Sequence, residues 1–162
     1  MPVSFDENGN PKPYEEIKIS LEQFADIFSS LPIRERREYL LSNFKKYLSD
    51  LDNKVTPNKW YQFIDGSYTT EKKEPSDIDV VNFVDPLSYM KLTSEESLLT
   101  SQYDGVNDSK KIYEVDGYAA PIFNENEPQY FIFCDIYSYW IKWFGKDREK
   151  NPKAILKVEH NA

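Results

Sequence analysis

Two short stretches carry residue types that do chemistry together. Gly66-Ser67 closes the apolar run Trp60-Tyr61-Gln62-Phe63-Ile64-Asp65, and Asp77-Ile78-Asp79 opens a second apolar run that continues with Val80-Val81. Nine residues, Tyr68 to Ser76, lie between the pair and the aspartates. Side chains alternate across a strand, so Asp77 and Asp79 face one way while Ile78 and Val80 face the other. Two carboxylates aimed at one point, joined by a third from a neighbouring strand, make a hard-oxygen site suited to Mg²⁺ or Mn²⁺. Asp116 is favoured as the third. Asp135 is the alternative, but helical phase turns it away from the aromatic stripe of its own segment. In phosphoryl or nucleotidyl transfer two such ions sit about 3.5–4 Å apart and neutralise the attacking and leaving oxygens. The glycine lets the backbone approach a phosphate, and the serine hydroxyl with the amides of a following helix start holds phosphate oxygens.

Gly66-Ser67 followed at this spacing by Asp77-Ile78-Asp79 resembles the signature of the polymerase-beta-like nucleotidyltransferase superfamily. More closely, the chain is similar to a bacterial family of small nucleotidyltransferase-like proteins. The resemblance rests on Phe5-Asp6-Glu7-Asn8-Gly9-Asn10, Asp65-Gly66-Ser67-Tyr68-Thr69-Thr70, Pro75-Ser76-Asp77-Ile78-Asp79, and Tyr139-Trp140 to Phe144-Gly145 with Arg148 and Pro152-Lys153. It implies an α/β (α+β) nucleotidyltransferase fold: a small mixed sheet flanked by helices, with helices at the N-terminus. It implies one domain over residues 1–162, with a helical part at 1–52 and a catalytic core at 59–162. The implied activity moves a nucleoside monophosphate from a nucleoside triphosphate such as ATP to a hydroxyl on a protein, an RNA or a small molecule. Gly66 and Ser67 then bind phosphate, while Asp77, Asp79 and Asp116 are the catalytic, metal-binding carboxylates. Many relatives carry an arginine just after Gly-Ser. Here Tyr68, Thr69, Thr70 and Glu71 follow, so neutralising the triphosphate falls to Lys72, Lys73 or a distant base. The alternative implied by the same resemblance is an interaction module that uses the fold for contact, such as an antitoxin or phage-defence component bound to a toxin or another partner protein.

The elements that must position these residues can be read in part. Ser20-Leu21-Glu22-Gln23 has the capping-box form, and Leu21, Phe24, Ile27 and Phe28 share one helical face. After Pro32, the spacing of Ile33, Arg37, Leu40, Phe44, Tyr47, Leu48 and Leu51 predicts a longer amphipathic helix, with Arg34, Arg36 and Arg37 on a solvated face. Lys54 to Asn58, with Pro57, breaks it. Strands are expected at about Lys59–Asp65 and Asp77–Val84, with one helical turn and a loop between them. Thr93-Ser94-Glu95-Glu96 offers caps for a helix carrying Leu98 and Leu99, ended by Asp104-Gly105. Lys111–Pro121 reads as a third strand with Asp116 near its middle. Tyr130, Phe133, Tyr137, Trp140 and Phe144 recur at three and four, predicting a buried helix capped by Gly145. Lys153–Glu159 reads as a last strand, and Phe5 to Pro13 as surface coil.

Composition bounds the function. The 162 residues carry a net charge of -8, which repels phosphate backbones and argues against generic DNA binding. Aromatics make up 15% of the chain, so an aromatic core within a charged surface is expected, with Trp140, Trp143 and Phe144 contributing to it. Cys134 is the single cysteine and reads as a buried, unreactive thiol. His160, the single histidine, reads as frayed surface. No signal-peptide pattern and no apolar run of membrane length is present, so a cytoplasmic protein without membrane contact is expected.

Overall fold

The structure is a computed structural model, and it describes residues 2–55, 59–90, 102–103 and 106–160. The elements run β1 (Ser4–Phe5), β2 (Pro11–Lys12), β3 (Glu16–Lys18), α1 (Leu21–Ser29), α2 (Arg34–Val55), β4 (Trp60–Asp65), a 3₁₀ turn (Ser67–Thr69) and β5 (Ile78–Val84). They continue with α3 (Pro86–Met90), β6 (Gln102–Tyr103), β7 (Val106–Asn107), α4 (Asp108–Tyr113), β8 (Val115–Pro121), α5 (Tyr130–Phe144) and β9 (Ile155–His160). The helix expected after Thr93-Ser94-Glu95-Glu96, with Leu98, Leu99 and its Asp104-Gly105 terminator, lies outside the described residues.

A five-stranded mixed sheet in the order β3-β9-β4-β5-β8 forms the centre. β4 runs antiparallel to β5 and β9, whereas β8 is parallel to β5 and β3 parallel to β9. β5, Ile-Asp-Val-Val-Asn-Phe-Val, is buried almost throughout because it is flanked on both edges and covered on both faces. Alternation divides its side chains. Ile78, Val80 and Val84 join Ile64, Val115 and Leu156 under Phe24, Phe28, Leu40, Phe44 and Leu51 of α1 and α2. Val81 and Phe83 join Phe63 and Ala120 under Trp140 and Phe144 of α5. Each large side chain fully enclosed this way contributes roughly 1.5–3 kcal/mol. On the α2 side, Gln62 Nε2 donates to Asn82 Oδ1 (2.7 Å), and Asn82 Nδ2 donates to the Tyr47 hydroxyl (2.7 Å), so the buried amides are satisfied.

Ser20 caps α1 with both halves of the capping box formed, as its sequence requires. Several expectations are corrected. Lys111–Pro121 is not one strand: α4 runs to Tyr113, Glu114 turns the chain at φ 56°, and β8 begins at Val115, so Asp116 lies near its start. Phe5 to Pro13 contains strand as well as coil, because β1 and β2 pair around a turn that Asp6 closes by accepting from the amides of Asn8 and Asn10. His160 is the end of β9, stacked on Trp60 at 4.2 Å and bonded to Gln62 Oε1 at 2.8 Å. Trp143 is exposed while Trp140 and Phe144 are buried. Cys134 is half-buried. Among the described residues no helix is long and apolar enough to cross a membrane.

Candidate active site

The register of the sheet brings three aspartates into a row. Asp65 pairs with Asp79 across the antiparallel β4–β5 ladder, and Asp79 pairs with Asp116 across the parallel β5–β8 ladder. All three occupy the alternation phase of Phe63, Val81 and Tyr118, on the sheet face that α5 covers. Asp77, two residues before Asp79 and just outside the strand, is buried with its side chain 13% exposed. One end of one sheet face therefore carries four carboxylates.

Gly66 follows the row at the end of β4, at φ 85° and ψ -171°, a region that only glycine occupies without strain. A Cβ there would lie 2.6 Å from Asp79 Oδ2. The missing side chain is thus what lets the turn lie against the Asp79 carboxylate. Ser67 opens the 3₁₀ turn that follows, and its carbonyl accepts from the Thr70 amide (3.2 Å) and hydroxyl (2.7 Å). The expected helix start is only this one turn, so its dipole is small and phosphate binding there would depend on the local amides and the Ser67 hydroxyl.

Electrostatics set the row's character. Burial, followed by the charges of Asp77 and Asp116, pushes the Asp79 pKa up to about 7. Burial also raises the Asp65 pKa, against the pull of Lys153. Lys153 forms an ion pair with Asp65, both side chains at most 5% exposed, and its Nζ also donates to the Gly66 carbonyl at 3.3 Å. Lys110 pairs with Asp77 at 3.1 Å. The Tyr118 hydroxyl donates to Asp116 Oδ2 at 3.3 Å. Lys110 and Lys153 are thus two ammonium groups in contact with the carboxylates. Lys72 and Lys73, expected to neutralise a triphosphate, lie on the exposed loop beyond the turn.

Two arginines at the start of α2 hold the loops that carry Ser67 and Asp77. Arg37 is fully buried, and its guanidinium donates to the carbonyls of Phe28 (3.1 Å), Tyr68 (2.7 Å), Thr70 (2.6 Å) and Lys72 (2.8 Å). Arg36 donates to the carbonyls of Pro75 (3.1 Å) and Ser76 (2.8 Å) and pairs with Glu114 at 2.7 Å. It thereby ties the residue before Asp77 to the residue before β8. The solvated face expected for Arg34, Arg36 and Arg37 holds for Arg34, which is exposed and paired with Glu38. It fails for Arg37, whose planar fork of donors matches several carbonyls at once and so can be buried. An arginine in phase with Leu40, Phe44 and Leu51 was the available signal.

Gly66, Ser67, Asp77, Asp79 and Asp116 are thus neighbours, while Lys72 and Lys73 lie apart on their loop and Asp135 is on the exposed side of α5. Reasoning from sequence missed Asp65, Lys110, Lys153, Arg36, Arg37 and Tyr118. The residues fit a hard divalent ion in kind: they are carboxylate oxygens, and Asp79 is held in a setting where added positive charge would relieve it. In spacing, no group of three or more His, Cys, Asp or Glu among the described residues forms a cage that could hold a metal ion as it stands. No curated protein and no solved structure matches the chain. A family model does match, over residues 3–159, and by that extent the chain belongs to the family of unknown function DUF6932.

Proposed function

We propose that the protein is a nucleotidyltransferase, transferring a nucleoside monophosphate from a nucleoside triphosphate to a hydroxyl acceptor. The observation that carries the reading is the close approach of Gly66 to Asp79 beside the register row Asp79–Asp116. A turn that receives phosphate and carboxylates suited to metal binding are both required in one place, and that contact joins them. In this reading Asp77, Asp79 and Asp116 would hold Mg²⁺ or Mn²⁺, which when bound neutralises phosphate charge and lowers the pKa of the acceptor hydroxyl. Gly66 and Ser67 receive the triphosphate. Asp116 accepts the proton of the acceptor hydroxyl as its oxygen bonds to the α-phosphorus and pyrophosphate departs. Lys153 holds the Gly66 turn through its carbonyl and keeps Asp65 paired.

A second reading, an interaction module such as an antitoxin or defence component, is favoured by a different observation: Lys110 and Lys153 already pair with Asp77 and Asp65. Thermal unfolding with Mg²⁺ and a panel of nucleoside triphosphates separates the two. The transferase reading expects stabilisation of about 2.7 kcal/mol at a hundred times Kd in the wild type, and none in Asp77→Ala/Asp79→Ala. No response to any nucleotide supports the module. Labelled triphosphate in a cell lysate then tests transfer, and equal labelling by the double variant removes the enzymatic assignment.

A further inference from the structure

Helix α5 is apolar on both sides. Its inner side packs Phe133, Tyr137, Trp140 and Phe144 on the sheet. Its outer side leaves Phe131, Tyr139 and Trp143 exposed by 66%, 57% and 67%, with Ile132 beside them at 37%. Positions 131, 135, 139 and 143 fall four apart, so they form one line along the helix. The rings of Tyr139 and Trp143 lie parallel within 3°, centroids 6.5 Å apart. A helix with one solvated face carries charge there, and an apolar outer face of this extent marks a contact surface.

The two charges on the helix indicate what covers it. Asp135 and Lys142, both exposed, are the two residues of the helix that carry a formal charge at neutral pH. Laid antiparallel on a second copy about a two-fold axis near Ser138, the line brings Phe131 of one copy to within about 3 Å of Trp143 of the other along the helix axis. It also sets Asp135 within about 1.5 Å of Lys142 along the axis, inside the reach of a lysine side chain, and symmetry makes each contact twice. A parallel pairing would oppose Asp135 to Asp135. The small Ser138, exposed at the crossing point, lets the helices approach. A locally neutral stripe on a chain of net charge -8 offers nothing to an anionic membrane or a nucleic acid. We infer that the outer face of α5 is a homodimer interface, two copies pairing this helix antiparallel with Asp135 of each facing Lys142 of the other.

Exposed to this degree, each of the three aromatics would bury on the order of 100–150 Å². Together they supply about half of the roughly 800 Å² that each partner contributes to an ordinary specific interface. A weak, concentration-dependent dimer is expected from an area at the small end of specific interfaces. It does not depend on the proposed activity, and its test requires neither nucleotide nor metal.

The test is light scattering and sedimentation of the full chain from about 1 to 200 μM, with the mass rising toward twice the 19.1 kDa of one chain. Trp143→Glu should stay monomeric throughout. Asp135→Lys should weaken association about ten-fold or more, and Asp135→Lys/Lys142→Asp should restore it to within about three-fold of the wild type. All three positions are exposed, so circular dichroism should report unchanged folding in every variant. A chain monomeric across the range overturns the inference. So does dimerisation undiminished by Trp143→Glu, or a double exchange no better than the single one. Adsorption to lipid vesicles without self-association would assign the stripe to a membrane and overturn it equally.

Discussion

Lys153, just before β9, and Asp65, at the end of β4, form an ion pair in which neither side chain is more than 5% exposed. The pair joins residues 88 positions apart, and its lysine also donates to the Gly66 carbonyl. Removing one partner leaves the other buried without its counter-charge, which costs on the order of 3 kcal/mol. Lys153→Met should therefore unfold at much lower denaturant, and Asp65→Asn/Lys153→Met should recover most of the loss. A double-mutant cycle with chemical denaturation measures this, and additive losses would show that the pair is not coupled.

Gly66→Ala meets two penalties, a backbone conformation reserved for glycine and a methyl group against Asp79 Oδ2. The backbone part alone costs about 1–3 kcal/mol. Adding Asp79→Ala removes the obstructing carboxylate but not the backbone strain. Gly66→Ala should thus cost less in an Asp79→Ala background than in the wild type, and equal costs in the two backgrounds would show that the contact carries no energy.

Stability should vary with pH through opposing groups: Asp79 and Asp65, both raised to about 7, act one way and His160 the other. The folded Asp79 pKa of about 7, against 3.8 for an ordinary aspartate, means that the folded state binds the proton more tightly. That stability is full below about pH 4, declines as pH rises, and is gone above about pH 7. Asp79→Asn, which cannot ionise, should match the wild type near pH 4 and exceed it at pH 8 by up to about 4 kcal/mol. His160 runs the other way. Burial lowers its pKa from 6.5 to about 4, so its contribution is full above about pH 6.5 and lost as pH falls toward 4. His160→Phe should therefore make the decline from pH 4 to 7 steeper, as followed by melting temperature across a buffer series.

Arg37→Met should release the segment from Tyr68 to Lys72, whose carbonyls it holds. The expected loss is about 3 kcal/mol or more, and Arg37→Lys should not restore it because a single ammonium cannot span four carbonyls. Arg36→Gln, at a half-exposed position, should cost only about 1 kcal/mol. Amide exchange distinguishes the two: the first variant should speed exchange across residues 66–72, the second around Ile78 and Glu114.

Local rules made much of the chain legible before any coordinates. The capping box at Ser20, the three-and-four recurrence from Tyr130 to Phe144 and the apolar runs ending in Asp65 and beginning at Ile78 each depend on near neighbours, and the structure has them at those places. The spacing of Gly66-Ser67 and Asp77-Asp79 was readable for the same reason. The strand β3 was not, because three residues acquire strand geometry only by pairing with β9, more than 130 positions away. Likewise Lys111 to Tyr113, expected as the start of a strand, end a helix, since the turn at Glu114 lets it pack beside β8.

From sequence alone came the kinds of residue available for chemistry and the two strands that carry Gly66 and Asp79. Tertiary structure alone decided which charges meet. Lys153 rather than Lys72 reaches the site, Arg37 is interior rather than solvated, and Asp116 rather than Asp135 stands beside Asp79. The physical reason is that a charge can be enclosed only where distant backbone carbonyls or an opposite charge supply what water no longer does, and strand register, set by pairing across the sheet, determines whether they are there.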